Sequence, residues 1–153
     1  LVEGIGDFTP GDSYTVMDLP KGKVGTVICF EVIFPEVVRE FVRNGAQVMT
    51  TITNDAWFGR SSAAYQHFSM VVFRAIENRV AFARAANTGI SGFIEPTGRI
   101  IQQSPLFVET ALVSDLPLLQ GGLTPYTRWG DFFAYGCGII TLGFWVKRQM
   151  TSK

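Results

Sequence analysis

Three stretches predict an α/β fold with a parallel pair of strands. Val24–Cys29 is an apolar, β-branched run that reads as a buried strand. Glu36–Asn44 places Val37, Val38, Phe41 and Val42 on one side at helical spacing, with Arg39, Glu40 and Arg43 outside. Gln47–Thr53 is a second β-branched run. Two strands flanking a helix form a βαβ unit, which implies a parallel pair in a covered sheet.

The remaining elements follow in order. Leu1–Asp12 is rich in Gly, Asp and Pro and reads as loop. Ser13–Leu19 alternates loosely and predicts a strand, and Pro20-Lys21-Gly22-Lys23 predicts a turn. Pro35 suits the first turn of the first helix, where its missing N–H costs nothing and its φ is already helical. Gly45 caps that helix at its end. Ala63 to about Asn78 is the clearest helix, with Phe68, Val71, Val72, Ala75 and Ile76 on one stripe and Gln66, Ser69, Arg74 and Glu77 off it. Val80–Ala86 fits a helix extension or a strand. Asn87-Thr88-Gly89 breaks the chain. Ile90–Ile94 and Arg99–Gln102 read as a hairpin around Pro96-Thr97-Gly98, and Ala111–Asp115 as a further short strand.

Composition narrows the function classes. A chain of 153 residues can build one domain with a real core. Its 13 basic and 13 acidic residues cancel, so nucleic acid is not an expected partner. Cys29 and Cys137 fall in segments of different character, which argues against a disulfide. The absence of CxxC or His/Cys clusters argues against a metal site, and no cofactor is expected. The chain starts at Leu1 without a signal-peptide pattern, and it reads as a fragment or as the C-terminal half of a longer protein.

The candidate functional residues sit at strand ends. Cys29 lies between a strand and a helix N-terminus, where unpaired N–H groups and the helix dipole favour negative charge, and thiolate is the nucleophilic form. A buried structural cysteine is the alternative. Asn54 and Asp55 follow the second strand. Loops at the carboxyl ends of parallel strands carry function, so both residues are expected beside Cys29 in space; ordinary turn chemistry is the alternative. Trp57-Phe58 fits a core plug as well as a site wall. His67, the only histidine, fits a hydrogen-bonded structural role better than a general base.

The tail differs from the rest. Phe132–Val146 has 15 residues without a charge. At ~1.5 Å per residue it spans roughly 22 Å, against ~30 Å of hydrocarbon. Length alone fits a core helix as well as a membrane span. Trp129 and Trp145 near the ends, then Lys147-Arg148 and Lys153, favour a transmembrane helix over 129–147 with a cytoplasmic tail at 148–153. Everything before Trp129 then lies on the other side.

Together these residues resemble the nitrilase (carbon–nitrogen hydrolase) superfamily. Cys29-Phe30-Glu31 after its strand resembles the family's cysteine motif. So do Asn54-Asp55-Ala56-Trp57-Phe58-Gly59, Gln66-His67, Arg74-Ala75-Ile76-Glu77-Asn78 and Arg84-Ala85-Ala86-Asn87-Thr88-Gly89-Ile90-Ser91. The resemblance runs from about Gly11 to Asp115. Gly122-Leu123-Thr124-Pro125-Tyr126 and the apolar tail are similar to one branch, the bacterial apolipoprotein N-acyltransferases. The resemblance implies the C-terminal half of an αββα sandwich over 1–118, a linker at 119–128 and the transmembrane helix. It also implies the bacterial inner membrane, with the domain periplasmic.

The implied reaction moves an acyl chain from a phospholipid donor, through a thioester on the cysteine, to the α-amine of a diacylglyceryl-cysteine lipoprotein. In the family the triad is Glu–Lys–Cys, the glutamate acting as base and the lysine stabilising the oxyanion. Cys29 matches the nucleophile, Glu31 a supporting acid and Trp57 an aromatic near the entrance. Phe30 stands where these acyltransferases more often have tyrosine. The base and lysine precede the cysteine by more than the 28 residues present here. Glu3 sits in the predicted loop, and Lys21 and Lys23 in the turn entering the cysteine strand. The chain is therefore expected to be inactive without an upstream half, which is its expected partner. A nitrilase-type amidase and an inactive half-domain remnant are the other two readings.

Overall fold

The computed structural model describes residues 11–151, so the loop read over the first ten residues, with Glu3, and the last two positions of the tail lie outside it. Six strands form one sheet: β1 (Met17–Leu19), β2 (Gly22–Ile28), β3 (Val48–Asn54), β4 (Ala81–Asn87), β5 (Gly92–Ile94) and β6 (Ile100–Gln103). Their order across the sheet is their order in the chain. β2, β3 and β4 are parallel, with Ile28 opposite Ile52 and Asn54 opposite Asn87. β1, β5 and β6 add antiparallel margins.

Two helices cover one face. α1 (Pro35–Arg43) begins on Pro35 as its sequence requires, and Gly45 beyond its end has φ +98°. α2 (Ser62–Asn78) is capped by the Ser61 hydroxyl, which accepts from Ala63 N at 3.3 Å, and closes on Arg79 in the left-handed region. Between helices and sheet lie Val27, Val38, Val42, Met49, Phe68, Val71 and Phe82, all buried. Gly25 is needed for that closeness: a Cβ there would stand 2.6 Å from Met49 Sδ and 3.1 Å from Phe41 Cβ.

The opposite face carries Thr26, Ile28, Thr50, Ile52, Ala83 and Ala85 by strand alternation, and no helix covers it among the described residues. Ile28 and Ile52 are exposed there. Residues 108–119 cross this face as extended chain: Thr110 and Leu112 line a cavity of about 450 Å³ with Thr26, Thr50 and Phe93. Leu119 N donates to Gln47 O at 2.7 Å where the chain reaches the far side. The architecture is thus one helix layer on one sheet.

Two expectations need correction and one open alternative is resolved. The predicted strand at Ala111–Asp115 belongs to this crossing and has no ladder partner among the described residues; Leu112 turns toward the sheet face while Val113 is exposed. Of the two alternatives at Val80–Ala86 the strand is found, as β4, because α2 closes at Arg79. The predicted transmembrane helix over 129–147 is not found: among the described residues no helix is long and apolar enough to cross a membrane. The chain instead forms a short α3 (Pro125–Trp129), turns at Gly130 with φ +64°, and restarts as α4 (Phe132–Thr151). The break removes Trp129 from the run. The charge-free part stops at Lys147-Arg148, inside α4, and Gly136, Gly138, Thr141 and Gly143 dilute it.

The segment read as linker, 119–128, is docked. The Thr127 hydroxyl donates to Asn78 Oδ1 at 2.9 Å in the interior, the Thr124 hydroxyl donates to Glu77 O at 2.7 Å, and Arg39 Nε donates to Thr127 O at 3.0 Å. Thr127→Val strands the buried Asn78 amide oxygen and is expected to cost about 1–3 kcal/mol in urea unfolding. Limited proteolysis around Trp129 should accelerate with it; unchanged cleavage would mean that the dock rests on other contacts.

Candidate active site

The site is assembled where β2 and β3 end. β2 stops at Ile28, and Cys29 opens a 3₁₀ turn, Cys29–Ile33. Cys29 has φ +52°, a left-handed conformation that non-glycine residues rarely adopt and that surrounding contacts must hold. An extended Cys29 would continue the strand alternation onto the helix-covered face beside Val27. The elbow turns it out of that register, and Cys29 lines a cleft of about 450 Å³ with Ile28, Ile52, Thr53, Asn54 and Trp57.

Each predicted residue can now be placed. Glu31 Oε2 accepts from Ile28 N at 2.7 Å and so braces the entry to the elbow. Phe30 is half-exposed, edge-on to Phe34 with ring centroids 6.3 Å apart. Asn54 Oδ1 accepts from Ala56 N at 3.2 Å and Asn87 Nδ2 at 3.4 Å, which shapes the turn beyond β3. Trp57 is 84% exposed and forms the cleft wall. Asp55 does not line the cleft: it is 2% exposed and is held on the helix-covered side by His67 of α2 and Arg84 of β4.

Asp55 joins two residues to which the sequence assigns no joint role. Its Oδ2 accepts from Arg84 Nη2 at 2.6 Å. Its Oδ1 accepts from the Thr53 hydroxyl at 2.9 Å and stands 3.0 Å from His67 Nδ1. Arg84 comes from β4, and its Nε donates to Ile90 O at 3.0 Å. His67 Nε2 lies 3.3 Å from the carbonyl oxygen of Cys29. Gly89 closes over the group, because a Cβ there would collide with the Asp55 carboxylate.

Electrostatics follow from this enclosure. Burial pushes the Asp55 carboxyl up, but the His67 hydrogen bond, the Arg84 charge and the Thr53 hydroxyl together hold it below the usual carboxylate range. Burial pushes the Arg84 guanidinium down from its ordinary value, against the opposing pull of Asp55 and Cys29. A signal for the cluster exists in the sequence: Arg84 interrupts the small, apolar strand AFARAAN, and an arginine in a covered strand needs an acidic partner. Arg74, read as off the helix stripe, is also buried; it is paired with Glu77 at 2.7 Å and donates to Ile33 O at 2.9 Å, on the same 3₁₀ turn as Cys29. The described lysines Lys21 and Lys23 lie at the opposite end of β2, roughly 20 Å away at strand rise, and Lys23 pairs there with Asp18 at 3.2 Å.

Residues 7–126 match the carbon–nitrogen hydrolase family. The chain belongs to that family. Curated relatives named apolipoprotein N-acyltransferase include one from Geobacter metallireducens, 53% identical over 90% of this chain and 26% of its own length. Another, from Thermotoga maritima, is 40% identical over 88% of this chain and 27% of its own length. The chain therefore spans about a quarter of the curated relatives it matches. Among solved structures, a carbon–nitrogen hydrolase from Helicobacter pylori G27 superposes with a TM-score of 0.58 at 17% identity, over 63% of this chain and 41% of that one. An amidase from Nesterenkonia sp. gives 0.56 at 24% identity, over 65% and 40%. These likenesses establish the nitrilase-like α/β fold of this carbon–nitrogen hydrolase chain.

Removing the hub leaves a buried arginine unpaired. Asp55→Ala is expected to cost about 3–5 kcal/mol in denaturant unfolding. A carboxyl whose folded value is lowered stabilises the fold above its ordinary value of about 3.9 and loses that stabilisation as pH falls through the folded value. Stability measured from pH 6 downward should therefore decline below about pH 4, and Asp55→Asn should flatten that decline. An equal decline in the variant would assign the acid sensitivity to other carboxyls.

Proposed function

We propose that this chain is the cysteine-bearing part of an apolipoprotein N-acyltransferase and that Cys29 carries the acyl group. One observation supports this above the rest: Cys29 opens onto a cleft walled by Ile28, Ile52 and Trp57. An apolar wall beside a strained nucleophile suits a hydrocarbon chain better than a small polar amide. The names of the relatives point the same way.

In this reading the Cys29 sulfur attacks the ester carbonyl of a phospholipid. The glycerol oxygen leaves with a proton as lysophospholipid, and the acyl group stays on sulfur as a thioester. The α-amine of a diacylglyceryl-cysteine lipoprotein then attacks the thioester, forming the amide and releasing the thiolate. Glu31 supports the elbow through its bond to Ile28 N. Asn54 shapes the turn, and Phe30 and Trp57 border the approach. The general base and the oxyanion-binding lysine are supplied by the longer protein, which places the reaction at the bacterial inner membrane.

Two measurements test this. The longer protein, incubated with a phospholipid labelled in its acyl chain, should acquire a hydroxylamine-labile label on Cys29, and Cys29→Ala should lose it completely. A label that persists in Cys29→Ala would overturn the assignment. The 153-residue chain alone should form no N-acylated product from phospholipid and a diacylglyceryl peptide; turnover by it would overturn the need for an upstream base and lysine.

A further inference from the structure

We infer that His67 is a positioning residue for Cys29: its Nε2–H holds the Cys29 carbonyl and thereby keeps the elbow in its left-handed conformation. The argument starts from hydrogen-bond sense. A carbonyl oxygen only accepts, so the 3.3 Å contact to Cys29 O requires the proton on Nε2. Asp55 Oδ1 likewise only accepts, so its 3.0 Å contact takes a proton from Nδ1, while Arg84 Nη2, 3.1 Å from that nitrogen, donates to Asp55 Oδ2. The ring is buried on α2, with Phe58 edge-on at 5.6 Å and Phe30 at 6.1 Å, so it cannot swing away.

The consequence for the nucleophile is geometric. Cys29 at φ +52° is strained, and strained residues persist only where neighbours hold them. Without the tether the elbow relaxes to the extended form, and Cys29 rotates toward the helix-covered face where Val27 is fully buried. The thiol then leaves the cleft. His67 thus acts through the backbone of Cys29, and Asp55 and Arg84 act through His67. This role deepens the acyl-transfer reading and rests on it for its purpose, but it can be measured without any acyl group.

The chain supplies its own reference, since Cys137 is exposed on α4, far along the sequence from the elbow. Iodoacetamide alkylation of both thiols is followed by peptide mass spectrometry in the 153-residue chain, with His67→Asn and His67→Gln. Glutamine reaches the Nε2 position and keeps a donor to Cys29 O; asparagine reaches only the Nδ1 position. The expected result is a fall in the Cys29-to-Cys137 rate ratio of about fivefold to tenfold in His67→Asn, from one lost hydrogen bond, and recovery in His67→Gln to within about twofold of the parent. Equal loss in both variants, or no loss in His67→Asn, would overturn the inference. A second measurement needs no variant. Because the sequence holds one histidine, ¹⁵N-histidine labelling reads a single ring. Nε2 should carry a slowly exchanging proton, and an unprotonated Nε2 would equally overturn the inference. If alkylation behaves as expected while acyl labelling of Cys29 fails, the positioning role stands and the acyl-transfer reading falls.

Discussion

A carboxylate buried at the end of β3 organises everything around the cleft. Asp55 has almost no access to water, and an ionised group in that position persists only if its lone pairs are occupied and its charge is met. The partners come from different parts of the chain: the Thr53 hydroxyl from β3 itself, His67 from α2, and Arg84 from β4. Satisfying one side chain therefore fixes the position of α2 over the sheet and the turn that follows β3. Through His67 it also fixes the residue at the end of β2. Even Gly89 is accounted for, since the loop after β4 must approach the carboxylate more closely than any side chain allows.

The sheet separates two environments. Polar, charged groups sit under it among the helices, sealed from water. Above it, Ile28 and Ile52 present a greasy surface. Cys29 stands at the crossing between them, held from beneath and open above. This division suits a group that must be rigid in its backbone yet exposed in its side chain. The rigidity comes from short, directional bonds in a low-dielectric interior, whereas the cleft needs only shape and an apolar lining.

Much of the architecture was legible in the sequence because it rests on local patterns. The βαβ unit followed from two β-branched runs around an amphipathic helix, with Pro35 and Gly45 marking its limits. The meeting of Cys29 with Asn54 followed from the rule that parallel strands end together. The depth of Asp55 was not legible, because a turn aspartate and a buried aspartate look alike until the partner is known. That partner, Arg84, lies 29 positions away on a neighbouring strand. His67 was read as a hydrogen-bonded residue, but not which atoms it served. The tail misled for a different reason. Its aromatic and basic flanks imitate a membrane span, while Gly130 breaks the helix and shortens the apolar run. Likewise, Ala111–Asp115 alternates like a strand because it lies on a sheet face, not because it pairs.

The strand order also has a kinetic meaning. β1 to β6 neighbour one another in the order in which they are synthesised. No strand has to wait for a later one to be inserted between it and its neighbour. As the chain leaves the ribosome, β2 can dock on β1, α1 can close over them, and β3 can pair next, each step joining a strand already in place. A vectorial route of this kind leaves one growing edge at any moment. The edge that receives each new strand is thereby always the strand made just before it.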